Sequence, residues 1–394
     1  MMKTNNRAGS LGLYIHIPFC LQKCHYCDFY SEAGTASSLR AKYVDALCTE
    51  IQYFGDLLGH GAAEGGRLVD TVFIGGGTPS ILEVSQTVQI VSTIFDSFRV
   101  AEDAEISMEC NPATLTAEKL AAYRKAGINR LSMGVQSMDL SVLKIMGRVH
   151  KPQDVTDNFR LAREAGFDNI NLDVMFGVPG QDMNIWKDTV QTVLEMEPEH
   201  LSFYSLELAE GTEFYRRLAS GMLKETAPEE DRKMYHWLLE ELDRRGYEHY
   251  EISNAAKTGC QCRHNLKYWN LEDYLGLGAA AHSFIANRRF SNPPDVPAYV
   301  ESWQEGKPAV DWHQENTWED SVTDYTFTAL RRVKGIRKKD FAEKFGRAFW
   351  DVFAERKSEF ETYKAAGDAA EDGENLWITR QGMDIASEII ALFI

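Results

Sequence analysis

Cys20, Cys24 and Cys27 follow a C-x3-C-x2-C spacing in the run Tyr14-Ile15-His16-Ile17-Pro18-Phe19-Cys20-Leu21-Gln22-Lys23-Cys24-His25-Tyr26-Cys27. Three thiols are one short of a closed structural zinc site. They can hold three irons of a [4Fe–4S] cubane, normally bound by four thiolates, and leave the fourth iron open to an outside chelator. Further on, the apolar run Val69–Ile74 leads into Gly75-Gly76-Gly77-Thr78-Pro79-Ser80. Glycines at a strand end let the backbone approach a ligand closely. The pattern is not G-x-G-x-x-G, so it does not indicate a dinucleotide; taken alone, it reads as a tight turn. Glu109, Gln136 and Asp173 stand at the ends of strand-like runs, and Arg148 offers a planar fork for a carboxylate. Taken singly, each of these also reads as a cap or loop anchor.

The elements that must position these residues alternate. Leu13–Ile17, Val69–Ile74, Glu105–Glu109, Arg130–Val135, Asn169–Met175 and His200–Ser205 read as strands. Ser38–Leu58, Val84–Phe98, Ala117–Ala126, Ser141–Met146, Gln153–Ala165 and Met183–Met196 carry apolar residues at helical spacing, and Gly127 and Gly166 mark two helix ends. Six such units predict a parallel sheet with helical crossovers. Periodicity alone leaves open a doubly wound sheet or an incomplete barrel. Ala227–Arg245 reads as a charged helix, Tyr247–Asn292 as irregular chain, and Ser291–Pro297 as a turn or linker. Helices over Val322–Arg332, Lys338–Phe345 and Phe349–Ala366, the strand-like Leu376–Thr379 and a helix Gly382–Phe393 predict a winged-helix-like module.

Composition narrows the class. The 394 residues carry a formal net charge of −17, which repels phosphate backbones and argues against nucleic acid as a partner. Met1–Ser10 is polar and lacks the apolar core of a signal peptide. Ile385–Ile394 is too short to span a bilayer and contains Glu388. A reducing cytoplasm is the expected setting, and it suits thiolate ligands.

Several motifs in order carry a resemblance. Tyr14–Cys20, Cys20/Cys24/Cys27 with Tyr26, Gly75–Pro79, Gly134-Val135-Gln136-Ser137 and Asp173-Val174-Met175-Phe176-Gly177-Val178-Pro179-Gly180-Gln181 together resemble the oxygen-independent coproporphyrinogen oxidase-like family of the radical SAM superfamily. The likeness runs from about Leu11 through the C-terminal module. It implies an α/β fold: an incomplete (β/α)6 barrel with a mainly helical, winged-helix-like module. It places the radical SAM core at 1–240, a family-specific region at 241–315 and the module at 316–394. By this resemblance the three cysteines bind a [4Fe–4S] cluster, and Tyr14, Tyr26, Gly76, Gly77, Thr78, Glu109, Gln136, Arg148 and Asp173 bind S-adenosylmethionine.

Two branches of that family differ here. The coproporphyrinogen dehydrogenases carry a fourth cysteine two positions after the third and a longer N-terminal arm. This chain has Phe29 there, and thirteen residues precede Tyr14. His264-Asn265-Leu266-Lys267-Tyr268-Trp269 instead resembles the H-N-x-x-Y-W motif of the heme-chaperone branch. Imidazole is a natural heme-iron ligand, and Tyr268 and Trp269 can pack on a porphyrin face. Cys260 and Cys262 are weaker heme candidates, and His282 is expected in core packing or a structural bond. The expected function is to bind heme and pass it to acceptor heme proteins such as respiratory-chain enzymes, with the cluster and S-adenosylmethionine serving regulation or assembly. A homodimer is a further expectation of the resemblance. The competing expectation is oxidative decarboxylation of coproporphyrinogen III. The basic run Arg331, Arg332, Lys334, Arg337, Lys338 and Lys339 is read as a lid or docking surface, or equally as a surface for heme propionates or for peripheral contact with an anionic membrane.

Overall fold

The computed structural model describes residues 9–60 and 66–394. Most of the polar stretch Met1–Ser10 lies outside these residues. Six parallel strands come in chain order: Leu11–Ile17, Leu68–Gly76, Arg99–Cys110, Arg130–Gln136, Ile170–Phe176 and His200–Ser205. Each neighbour in sequence is a neighbour in the sheet. Right-handed crossovers between sequential neighbours put every helix on one face, so the sheet curls as a barrel does rather than being doubly wound. It stays open, because the first strand is flanked by Leu68–Gly76 and by a seventh parallel strand, Tyr274–Leu277. That settles the alternative left by periodicity in favour of the incomplete barrel.

The helices start and stop where their caps dictate. Thr116 accepts from the Lys119 N–H, Asp139 from those of Ser141 and Val142, and Asp182 from those of Asn184 and Ile185. Gly127 ends its helix at φ 106°, a conformation costly for other residues. Along the strands, side chains alternate. Leu13, Ile15, Met108, Leu131, Met133, Leu172, Val174, Leu201 and Phe203 are buried apolar residues. The positions between them hold Tyr14, His16, Ser107, Glu109, Arg130, Ser132, Asn171, Asp173, His200 and Ser202. The period of two sends the apolar set to the helix face and the polar set to the concave face.

Three expectations are corrected. The stretch 247–292 is not irregular: it contains the strands Glu248–Glu251, Asn254–Ala256, Tyr274–Leu277, His282–Ile285 and Arg288–Ser291 and the helix Arg263–Trp269. These elements are too short to show periodicity. The expected helix over 349–366 is broken. Phe353 sits at φ −107°, ψ 33° between Phe349–Val352 and a turn leading to Lys357–Ala366. Phe353 packs 4.9 Å from Phe349 and 5.1 Å from Phe393, so aromatic packing overrides helix continuity there. The final helix likewise divides into a turn, Gly382–Ile385, and Ala386–Ala391.

The described residues up to Leu238, with Asp273–Gln314, form one compact unit; Leu239–Glu272 with Glu315–Ile394 form a second. The stretch 241–315 is therefore shared between them. In the second unit, Trp318–Ala329, Lys338–Phe345 and Lys357–Ala366 surround a three-stranded sheet ordered Ile336–Arg337, Asn375–Ile378, Ala369–Glu371. Three helices and a terminal hairpin make the winged-helix-like module. Among the described residues no helix is long and apolar enough to cross a membrane.

One buried acid anchors the seventh strand. Glu50, on the helix Ser37–Leu58, is fully buried and accepts bonds from Gly278 N at 2.7 Å, Asn292 Nδ2 at 2.7 Å and the Tyr299 hydroxyl. Tyr43 donates to His16 O and accepts from Ala279 N, which ties the same loop to the first strand. Burial pushes the Glu50 carboxyl up to about 7, against the bonds that favour its charge. Because the folded value is raised, the stability contributed by the neutral acid is complete at low pH and is lost as pH rises through about 7. The urea midpoint should therefore fall between about pH 4.5 and about pH 7 and level off above it, and Glu50→Gln should flatten part of that slope. Glu50→Ala strands three buried donors and should cost on the order of 3 kcal/mol in urea unfolding.

Candidate cofactor site

The cysteine loop leaves the first strand and is held from outside. Cys20 ends a short strand, Phe19–Cys20, paired with Glu32–Ala33. His25 donates from its backbone N–H to Met146 O and from Nδ1 to Ile145 O, at 2.9 and 2.7 Å. Gln22 Nε2 donates to Gly147 O at 3.2 Å. The Tyr26 ring packs among Val142, Met146, Met175, Val178 and Phe214. The three thiols are electrostatic neighbours, since Cys20 and Cys24 each raise Cys27. Burial pushes the Cys20 thiol up and the Cys27 thiol to about 11. Two donors face the sulfurs: Thr78 Oγ1 lies 3.6 Å from Cys20 Sγ, and Arg148 Nη1 lies 3.4 Å from Cys24 Sγ. Among the described residues no three Cys, His, Asp or Glu side chains could hold a single metal ion. A cubane makes a different demand, because it spreads three thiolates over three irons.

The glycine run is bonded to this loop. Gly77 N donates to Ile17 O at 2.9 Å and Thr78 N to Phe19 O at 2.8 Å. A Cβ at Gly77 would lie 2.8 Å from Phe19 O and 2.9 Å from Phe19 N, so only glycine permits the contact. Gly76, at φ 112°, has the His16 imidazole where a Cβ would project, and its N–H donates to Glu109 Oε2 at 3.0 Å.

Glu109 and Asp173 share the concave face. Burial, then the charge of Asp173, raises the Glu109 carboxyl to about 8. Burial also raises Asp173, while Asn171, Ser202, Ser132 and the Arg130 cation act against it. Arg148 donates from Nη2 to Gly134 O at 2.6 Å, and its Nε has no partner. Gln136 takes a left-handed φ of 64°, and its buried Oε1 has no partner. A Cβ at Gly134 would sit 3.1 Å from Arg148 Nη2 and 3.2 Å from Gln136 Nε2. Tyr14 shares a 2.9 Å hydrogen bond with His16 Nδ1 and feels the charge of Glu109. Tyr14, Gly76, Gly77, Thr78, Glu109, Gln136 and Asp173 thus stand on or just beyond the first five strands, and Arg148 follows the helix Leu140–Ile145. His16, Arg130, Ser132, Asn171, His200 and Ser202 belong to the same polar face and are missed by motif reasoning. Their signal is alternation: a parallel strand covered on both faces reads as a nearly continuous apolar run.

His264, Tyr268 and Trp269 lie in the second unit, on the helix Arg263–Trp269. His264 is fully buried, and its Nε2 shares a 2.9 Å hydrogen bond with the Tyr268 hydroxyl. Trp269 is half-buried, with the Arg331 guanidinium 5.7 Å from its ring. Cys262 is buried and Cys260 partly exposed. His282 is exposed rather than in the core. The basic run is largely engaged locally. Lys338 pairs with Glu371 at 2.6 Å, Arg337 with Asp340 at 3.4 Å and Lys339 with Glu343 at 3.6 Å. Arg332 bonds Asn270 and Gly335, and Arg331 lies over Phe327.

Residues 14–193 match the Radical SAM superfamily, and residues 319–385 match the HemN C-terminal domain. The heme chaperone HemW of Bacillus subtilis is 37% identical over 389 residues, spanning 97% of this chain and 98% of that one. The chain belongs to the HemW family of the radical SAM superfamily. The heme chaperone HemW of Escherichia coli is 39% identical over 280 residues, 70% of each chain. The structure of coproporphyrinogen III oxidase (HemN) from Escherichia coli, a radical SAM enzyme, superposes with a TM-score of 0.84 at 24% identity, over 98% of this chain and 90% of that one. That likeness confirms the fold.

A [4Fe–4S] cluster and S-adenosylmethionine go with radical SAM membership, and the residues of this HemW-family chain fit both. Three clustered thiols face two donors, and the adjoining polar floor has an orphaned Gln136 Oε1 and Arg148 Nε. The contact between the glycine run and the cysteine loop is the most easily broken part. Gly77→Ala should lower the iron and sulfide content of the reconstituted protein several-fold, with its far-UV circular dichroism unchanged.

Proposed function

We propose that this protein is a heme chaperone: it binds heme and transfers it to acceptor heme proteins. The observation that carries this reading is the match to the heme chaperone HemW of Bacillus subtilis along 97% of the chain. Cys20, Cys24 and Cys27 hold a [4Fe–4S] cluster whose open iron takes the amino and carboxylate groups of S-adenosylmethionine. Gly76, Gly77 and Thr78 would run along the methionine portion, Glu109 would accept from its amino N–H, and Arg148 and Gln136 would donate to its carboxylate. Asp173 accepts from the ribose hydroxyls. Tyr14 and Tyr26 close the two sides. When bound, the cluster supplies an electron-transfer centre next to a sulfonium; in this reading the pair serves regulation or assembly.

Heme iron is assigned to His264, with Tyr268 and Trp269 against the porphyrin. Since His264 is buried, uptake must exchange its bond to the Tyr268 hydroxyl for iron. Acceptors of the respiratory chain, a cytoplasmic location and a homodimer complete the proposal. Peripheral contact with an anionic membrane through the basic run belongs to the same proposal.

Heme-loaded protein incubated with an apo-heme protein should transfer its heme, followed by the acceptor's absorbance. His264→Ala should lower heme affinity or transfer at least about tenfold. Unchanged affinity and transfer would remove His264 from the site. Anaerobic conversion of coproporphyrinogen III to protoporphyrinogen IX by the reconstituted protein would instead establish the enzymatic reading. A separate test addresses Glu109. Its carboxyl, raised to about 8, accepts the amino N–H most strongly once ionised, so affinity for S-adenosylmethionine should rise between about pH 6 and about pH 8. Equilibrium dialysis of Glu109→Gln should show weaker binding without that rise.

A further inference from the structure

Asn171 is 1% exposed and uses every hydrogen-bonding position of its amide. Nδ2 donates to Ser132 Oγ and to Asp173 Oδ1, both at 2.7 Å. Oδ1 accepts from His200 Nδ1 at 2.6 Å and from Ser202 Oγ at 3.1 Å. The reverse orientation would set the amide oxygen against a carboxylate oxygen, so Asp173 decides which way the amide points. An oxygen can only accept, so His200 carries its proton on Nδ1. His200 is fully buried, and burial together with the nearby Arg130 cation keeps its imidazole neutral.

Register explains how these groups meet. Glu109, Ser132, Asn171 and His200 are paired across four adjacent strands, and Gly134, Asp173 and Ser202 form the rung nearer the strand ends. Asp173 is partly exposed; Asn171 and His200 are sealed beneath it. Ser132 Oγ lies 3.3 Å from Asp173 Oδ2, a looser contact than the bond from Asn171. Rotation of the carboxylate would break its short bond to Asn171. Arg130, 2% exposed, supplies the buried positive charge that acts on Glu109, Asp173 and His200. A fully satisfied polar network costs more to assemble than an apolar core and gives a unique geometry in return.

We propose that Asn171 is a positioning residue: the His200–Asn171–Asp173 chain holds the Asp173 carboxylate in the orientation that receives a vicinal diol, the ribose of S-adenosylmethionine. This rests on the reading of Asp173 as the ribose ligand.

The test is a double-mutant cycle on cluster-reconstituted protein, with S-adenosylmethionine affinity measured by equilibrium dialysis and iron content as the control. Asn171→Leu removes the whole amide. Asn171→Asp keeps the acceptor for His200 and Ser202 but replaces the donor to Asp173 with a second carboxyl group, so it disturbs the orientation of Asp173 while leaving the bonds from His200 and Ser202 in place. Both should weaken binding by about tenfold or more at unchanged iron content. In the Asp173→Ala background neither should weaken it further, because Asn171 acts only through that carboxylate. Asn171 variants within about twofold of wild type, or losses that add in the double variants, overturn the positioning role. Wild-type affinity in Asp173→Ala alone overturns the ribose reading, and the positioning role with it.

Discussion

Glu109 and Asp173 are largely buried on one face of a parallel sheet, and the cost of placing two carboxyl groups there organises much of the surrounding structure. Neither has a salt-bridge partner at contact distance among the described residues. Instead, backbone, amide and hydroxyl donors from four strands satisfy them, with Arg130 as the compensating charge. Burial without such donors would cost several kcal/mol per group. The concave face therefore has to be polar, and the helices can cover only the other one. The open, singly wound sheet follows from the same division.

A second dependence runs between the glycine run and the cysteine loop. Two backbone bonds join Gly77 and Thr78 to Ile17 and Phe19. Through them the strand end that faces Glu109 also sets the position of Cys20. The thiols and the carboxylates are thus parts of one rigid rim. Glu50 and Tyr43 extend that rim to the loop after Tyr274–Leu277. The winged-helix-like unit has its own aromatic core around Phe341, Phe349, Phe353 and Phe393 and does not draw on these bonds.

Much of the barrel is legible in the sequence. The strands Arg130–Gln136 and His200–Ser205 and the helix Ala117–Ala126 match their periodic signals to within a residue, because capping and alternation are local. The segment 247–292 is not legible: strands of three or four residues carry too few positions for a period. The break at Phe353 is equally hidden, since nothing next to it in sequence announces the rings of Phe349 and Phe393. His282 reads as packed in the core or held in a structural bond, and the core packing is not found, since it is exposed.

The sequence alone determined the chemistry of the loop, because three thiols within eight residues, followed by a glycine run, constrain their ligand whatever the fold. It also determined the alternation that makes one sheet face polar. The tertiary structure decided which distant side chains share that face: Glu109, Ser132, Asn171 and His200 come from four strands whose register no local pattern specifies. It decided that Tyr274–Leu277, rather than His200–Ser205, closes against the first strand. It also decided that His264 is sealed against Tyr268 while His282 faces solvent. Burial and pairing depend on chain segments far apart in sequence, and only their packing sets them.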